Sequence, residues 1–273
     1  MKPRLPVLLA RHAVLVVFAV VFLTPFAGIV LAAFQDGPGT GGFALPEHWT
    51  FDNFSAAWEQ GRFGDLITSS LIIAVLVVPA TIVLATLAGF GLAILRPAGH
   101  RRITGAFVAG LTLPTELVVI ALYYNLDGIG LTNNYAGIAL AEIALFLPFG
   151  VFWMHTHFGN VPREIVESGR IDGAGDLRVL KDLLLPISIP ATTTLAVLFF
   201  VWAWNQFLIV LVLMQSPGRR TATAGLGYFV GEFSTDVPLL SAASLIVIAP
   251  VVVVYLIFQR SFVNGITQGA IKG

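Results

Sequence analysis

The chain has 273 residues, 57% of them hydrophobic and 11% charged, and its 15 basic and 15 acidic side chains cancel. A mean hydropathy of +0.88 excludes an ordinary soluble domain, and zero net charge offers nothing to nucleic acid. Cysteine is absent, which excludes disulfides, thiolate-bound metals and clusters.

Residues 1–12 carry Lys2, Arg4 and Arg11 ahead of an apolar run at 13–34. About 20 apolar residues suffice to cross a hydrocarbon core of roughly 30 Å. The run lacks a small-x-small cleavage site, so it reads as a retained span and not a leader. A loop at 35–65 follows, containing "GPGTGG" (37–42) and "FALPEHWTFDNFSAAWEQGRFGD". The glycines lack the lysine of a phosphate loop and read as a flexible loop, and no G-x-x-x-x-G-K-[ST] occurs anywhere in the sequence. The loop's Phe and Trp suit a membrane interface, and Asn53-Phe54-Ser55 fits the glycosylation pattern, one that arises readily by chance.

Five more apolar runs fall at 66–95, 103–126, 136–158, 183–214 and 239–259. The fold class expected is therefore all-α, a polytopic membrane protein with six transmembrane helices. Prolines 25, 79, 114, 148, 190 and 250 lie within or at the ends of these runs, where membrane helices tolerate them if neighbours re-satisfy the freed carbonyls. Ala85, Gly89 and Ala93 repeat at four-residue spacing, a small face suited to close helix contact. With the N-terminus inside, one side receives twelve Lys and Arg and the other only Arg62, Arg219 and Arg220. By the positive-inside rule both termini are cytoplasmic. The outer loops are then 35–65, 127–135 and 215–238, and Arg219 and Arg220 become candidate contacts for an external partner.

Within the runs, Glu116 and Glu142 stand out because intramembrane carboxylates are rare. Glu116 lies 14 residues after Arg102, about 21 Å along a straight helix, near mid-membrane. A pore or gate position and a bundle-internal hydrogen bond both fit it, whereas Glu142 reads as structural. His155 and His157 point different ways on a helix and make poor joint metal ligands; no metal site is expected. Trp202, Trp204, Asn205 and Gln206 combine flat aromatic faces with amide donors and acceptors, a set suited to sugar rings and hydroxyls. Aromatic-belt or packing roles fit the same residues.

The longest polar interruption in the second half is "PREIVESGRIDGAGDLRVLKDLLLP", Pro162–Pro186. Asn160 can cap a short helix, Pro162 suits its first turn and Glu164 complements its positive end. Arg163–Glu167 and Glu167–Arg170 stand at pairing distances along it. Asp172-Gly173 then turns the chain, and a second short helix, Asp176 to Leu185, leads to Pro186. The product is a helix-turn-helix on the cytoplasmic face, or else an amphipathic loop lying on lipid.

The run Glu167-Ser168-Gly169-Arg170-Ile171-Asp172-Gly173-Ala174, followed by Leu185-Pro186, resembles the EAA loop of bacterial ABC importer permeases. The fuller form beginning Val161-Pro162-Arg163-Glu164 resembles that of carbohydrate-uptake permeases, with Ser168 and Gly169 replacing two alanines. "WAWNQFLIVLVL" (202–213), "LTLPTELVVIALY" (111–123) and "FVNGITQGAIKG" (262–273) are similar to the fifth-span, third-span and tail segments of the maltose-type six-span subunit. The resemblance implies a type I ABC importer permease fold. Its parts would be an N-terminus (1–12), span 1 (13–34), an external loop (35–65), a core permease domain (66–260) with coupling loop 160–186, and a tail (261–273).

It also implies that Glu164, Glu167, Ser168, Gly169, Asp172, Gly173, Ala174, Leu185 and Pro186 couple the chain to a separate ATPase dimer, which binds ATP and Mg. Gly265, Gln268, Gly269 and Lys272 in the tail would reach toward that dimer. The implied partners are a second permease chain, forming a heterodimer, and an extracytoplasmic solute-binding protein, in a bacterial inner membrane. Glycine within the helix costs about 0.5–1 kcal/mol against alanine, so at Gly169 the coupling helix is either looser or unusually closely packed. A stand-alone secondary transporter would show ion-coupling carboxylates or two repeated halves, and a membrane scaffold leaves the motif series unexplained.

Overall fold

The computed structural model describes the backbone of residues 5–36, 43–230 and 236–270, and side chains at Leu8, 11–36, 43–230 and 236–259. The glycine run 37–42 and Lys272 lie outside the described residues. The chain is built from helices, of which five are long and apolar enough to cross a membrane. A sharply bent pair makes a sixth crossing if it is counted as one. Two compact units comprise residues 1–64 with 225–250, and 65–224 with 251–273.

In the first unit, α1 (Leu5–Ala33) leaves Val14, Val17, Phe22 and Leu23 more than half exposed, as a lipid-facing helix does. Its last carbonyls are satisfied by a side chain from α2 (Asp52–Gln60). Asn53 Nδ2 donates to Ala33 O at 3.0 Å and to Gln35 O at 2.7 Å. The amide of the glycosylation pattern is therefore engaged inward. Phe34 gathers Trp49, Phe51 and Phe54 at ring distances of 5.1–5.7 Å. Phe63 and Phe229 stack nearly parallel at 6.0 Å.

The second unit is organised around α6 (Tyr135–Gly159). Asn134 caps it, accepting from Ala136 N at 2.9 Å. The expected small face of α3 (Phe63–Phe90) packs here: a Cβ at Gly89 would stand 2.7 Å from Met154 Cβ and 2.9 Å from His155 N. One at Gly150 would stand 2.7 Å from Ala85 Cβ and 3.1 Å from the Phe199 ring. α3 ends in a π-helical turn, Gly91–Leu95, closed by Arg96 N donating to Gly91 O at 2.9 Å.

The run at 103–126 is not one straight span. It forms α4 (His100–Gly110) and α5 (Thr115–Asp127), bent by 103°. Pro114 is the cause: it is extended (ψ 131°) at the start of α5, and proline disfavours helical backbone at the preceding Leu113. Thr112 Oγ1 donates to Ala109 O at 2.7 Å, taking up a carbonyl at the break.

The run at 183–214 also divides. α9 (Leu185–Asn205) ends at Asn205, and α10 (Leu208–Leu213) follows after a break at Gln206–Phe207. At its other end α9 is continuous with the helix before it. The supposed second short helix is α8 (Asp176–Arg178), which runs through a π-helical segment, Val179–Leu184, directly into α9. Pro186 has no N–H to return to residue 182, and the ladder widens just before it.

Gly89 sets the sharpest packing test. Its Cβ would meet backbone, which cannot move aside, whereas one at Gly105 in α4 meets nothing within 4 Å. Gly→Ala in a helix gains about 1 kcal/mol of propensity, but overpacking costs about 1–3 kcal/mol. Gly89→Ala should therefore lower the melting temperature in detergent, and Gly105→Ala should leave it unchanged or raise it.

Candidate functional site

The polar interruption folds as a projecting knob between α6 and α9. α7 (Arg163–Ile171) buries Val166 and Gly169 and exposes Glu164, Glu167 and Ser168. Asn160 serves the preceding helix, donating from Nδ2 to Thr156 O at 3.0 Å, and Pro162 takes the N-cap position of α7. The expected cap residue thus terminates α6, because Val161 and Pro162 separate it from the first turn of α7.

The helix ends in a complete Schellman arrangement. Ala174 N donates to Gly169 O at 2.9 Å and Gly173 N to Arg170 O at 3.1 Å, with Gly173 left-handed at φ 81°. Glycine supplies that conformation without a Cβ penalty. The expected Asp172-Gly173 turn is therefore present, Asp172 standing exposed just before the glycine. Across it Arg170 Nη2 pairs with Asp176 Oδ1 at 2.9 Å, in place of Glu167, the partner expected along the helix. Both groups are about half exposed, so the pair is worth at most about 1 kcal/mol; it closes the turn more than it stabilises the chain.

Gly169 resolves toward close packing. A Cβ there would stand 2.5 Å from Leu183 Cδ1 and 3.6 Å from Val179 Cγ2, so α7 lies directly on the π-helical segment. That segment leads into α9, so Leu185 and Pro186, expected from the motif to be coupling positions, are the first residues of that helix.

Two polar ties join α6 to α9 above the knob. Trp153 Nε1 donates to Ala191 O at 3.2 Å, and His157 Nε2 lies 2.9 Å from Ser188 Oγ. Ser188 already donates to Leu184 O at 2.6 Å, so its oxygen accepts from the His157 Nε2–H. His157 is thus an interhelical tie, and His155 takes no part in it.

Two exposed side chains escape a reading of the sequence. Ile171 is 85% exposed and Leu177 74%, flanking the turn at the tip of the knob. The only signal in the sequence is that Ile171 is an apolar residue opposite the buried stripe of Val166 and Gly169.

The candidate solute residues are not brought together as a set. Trp204 is fully buried, its ring 5.5 Å from Phe200 and its carbonyl accepting from Thr223 Oγ1 at 2.6 Å. Its indole is part of the packed interior and not a surface for a solute. Trp202 is half-buried against Phe146, Phe149 and Phe199 at 5.0–5.6 Å. Asn205 is exposed at the end of α9, and Gln206 Oε1 faces Ile209 N at 3.5 Å. Glu116 is exposed in the first turn of α5. Because it lies beyond the 103° bend, the 21 Å reckoned along a straight helix does not apply to it. Glu142 is fully buried, and neither of its oxygens has a partner among the described residues.

At the opposite end of α6, Arg219 lies over the Tyr135 ring at 4.7 Å and Arg220 Nε donates to Met214 O at 3.1 Å. Both arginines of that loop are engaged within the chain. In the tail, Gly265, Gln268 and Gly269 continue α12 (Val237–Ala270) as helical backbone.

Apolar spans carrying a capped polar knob between two of them define a multi-pass membrane protein. Residues 85–268 match the model of the family described as binding-protein-dependent transport system inner membrane components, and the chain belongs to that family. It is 30% identical over 265 residues to the diacetylchitobiose uptake system permease protein NgcG of Streptomyces coelicolor, covering 96% of this chain and 88% of that one. It is also 30% identical over 264 residues to the trehalose/maltose transport system permease protein MalG of Thermococcus litoralis, with 94% of each covered. A solved bacterial ABC transporter involved in the import of the acidic polysaccharide alginate contains a chain of the same fold. It superposes with a TM-score of 0.80 at 21% identity, covering 93% of this chain and 95% of that one. Components of this family work in the inner membrane with an ATPase, a second permease and a solute-binding protein.

The contact of Gly169 with Leu183 yields a paired test. Gly169→Val should destabilise the purified chain by about 1–3 kcal/mol through overpacking. Leu183→Ala in the same chain should restore most of that loss, a coupling read from a double-mutant cycle of detergent melting curves.

Proposed function

We propose that this chain forms half of the translocation pore of an ATP-driven importer of a carbohydrate, and that α7 with its Schellman turn is the point where a separate ATPase dimer pushes on it. The observation that carries the reading is the knob's tip: Ile171 stands open beside Asp172 and Gly173, between two spans, and Leu177 stands open in the first turn of the helix that runs on into α9. Two large apolar side chains exposed on either side of one turn suit a protein contact. Glu164, Glu167 and Ser168 on the same helix supply the polar rim of that contact, and Ala174, Leu185 and Pro186 carry its motion into α9. ATP and Mg belong to the partner.

The excess of Lys and Arg at one end supports a cytoplasmic position for this knob and both termini. The tail residues Gly265, Gln268, Gly269 and Lys272 then lie on the ATPase side, and the solute-binding protein docks at the opposite end. A carbohydrate substrate follows from the relatives that handle diacetylchitobiose and trehalose or maltose. It also suits the exposed amide of Asn205 beside Trp202 and Gln206, with Glu116 as a further pore candidate. A second, different permease chain completes the pore.

Affinity purification of the tagged chain in mild detergent should recover an ATPase and a second six-span chain; recovery of this chain alone, still transporting without ATP, would assign it to secondary transport instead. Gly173 separates backbone from docking. A Cβ there meets nothing within 4 Å in this chain, but φ is 81°. Asn tolerates that conformation, so Gly173→Asn should keep most ATP-driven uptake. Gly173→Arg should abolish uptake or detach the ATPase with the chain still inserted; normal uptake in it would sink the coupling role of this turn.

A further inference from the structure

A cleft opens where α3 and α6 leave the membrane. It is lined by Ile94 and Arg96 at the end of α3, Val161 after α6, and Arg163, Glu167 and Arg170 on α7. We propose that this cleft holds the phosphate of an anionic phospholipid headgroup.

Depth is the first argument. The spans Phe63–Leu95 and Tyr135–Gly159 both end here, so the cleft lies at the boundary between hydrocarbon and headgroups. This depth, like the apolar walls and the arginines of the cleft, is independent of any role for the ATPase; Glu167 alone is shared with the proposed coupling contact.

Charge is the second. Arg96 is left-handed at φ 50°, unusual for a bulky residue. Its backbone N–H donates to Gly91 O and its Nε to Ala93 O, both at 2.9 Å. Those bonds fix the base of the side chain and leave the four terminal N–H donors of the guanidinium without a partner among the described residues. Arg163 is exposed and makes no side-chain hydrogen bond or ion pair among the described residues. Arg170 is already paired with Asp176, and Glu167 offsets one of the other two. One net positive charge with several free donors remains, which matches the single negative charge of a phosphodiester.

The walls are the third. Ile94, Val161 and the buried Val166 and Phe158 line the same cleft. They suit the glycerol and upper acyl carbons of a lipid, and a soluble phosphate gains nothing from them. Basic pockets between membrane helices on the cytoplasmic side are a general means of holding acidic headgroups.

The test is native mass spectrometry of the importer as it purifies, titrated with phosphatidylglycerol, phosphatidylcholine or inorganic phosphate. The parent should retain phosphatidylglycerol in preference to phosphatidylcholine. Retention should fall about fivefold for each arginine removed, in Arg163→Gln and in Arg96→Asn/Arg163→Gln, and not at all in Arg219→Gln at the other end of α6. Asn is chosen at position 96 because it tolerates left-handed backbone. If the double variant is not recovered folded, Arg163→Gln, altered only at an exposed side chain, decides alone. The same spectra record which subunits stay attached, so lipid lost with subunits retained distinguishes this site from the coupling contact. Undiminished phosphatidylglycerol in the variants, or equal retention of phosphatidylcholine, overturns the proposal. Displacement by inorganic phosphate at equal occupancy would assign the cleft to a soluble anion and overturn it as well.

Discussion

The arrangement of the second unit rests on the absence of side chains where α6 meets its neighbours. In lipid there is no hydrophobic force between helices, since a lipid tail is as apolar as a leucine, and association depends on close packing and interhelical hydrogen bonds. Gly89 and Gly150 bring the backbones of α3 and α6 to a separation at which one added methyl would overlap Met154 or Ala85. Phe199 of α9 fills the space beside Gly150, so three spans meet at two glycines. Everything that projects from α6, the knob above all, takes its position from that contact.

Polar ties then convert packing into a fixed pair. The bonds from Trp153 to Ala191 and from His157 to Ser188 lie one turn apart on α6. They grip α9 next to Pro190 and Pro186, where prolines have removed ladder hydrogen bonds and the helix alone would be weakest. Ser188 passes its own hydrogen to Leu184 O, at the junction between the π-helical segment and α9. The same few residues therefore hold the two spans together and brace the point where the knob joins them.

Much of this is legible from residue order, and the failures share one cause. Span positions, the small face of α3 and the Asp172-Gly173 turn follow from local rules: hydrophobic length, four-residue spacing and the backbone freedom of glycine. Gly169 can be narrowed only to loose or close packing, because Leu183 reaches it from another element. Pro114 announces a break but not a 103° bend. Trp204 and Trp202, two residues apart, look alike in the sequence and are told apart only by what packs on them. Ile171 and Leu177 go unnoticed because apolar residues raise no question in a chain that is 57% hydrophobic. Ile171 gains meaning only from its place between two spans, and Leu177 from its exposure at the start of the second.

The merging of α8 with α9 changes how the proposed coupling would work. Two separate short helices on a loop would absorb a push by bending at their joints. Instead, residues Asp176–Asn205 form one helical rod, about 45 Å long at 1.5 Å per residue. Leu177 stands near one end and Asn205 at the other. A displacement at the exposed tip thus reaches the far end of α9, where the candidate solute residues lie, without crossing a loop. The π-helical segment is the place where such a rod can change its winding by a residue without breaking, since its ladder is already one register wide of α. α7 packs on that segment through Gly169, so a force on α7 is applied where the rod is most able to twist.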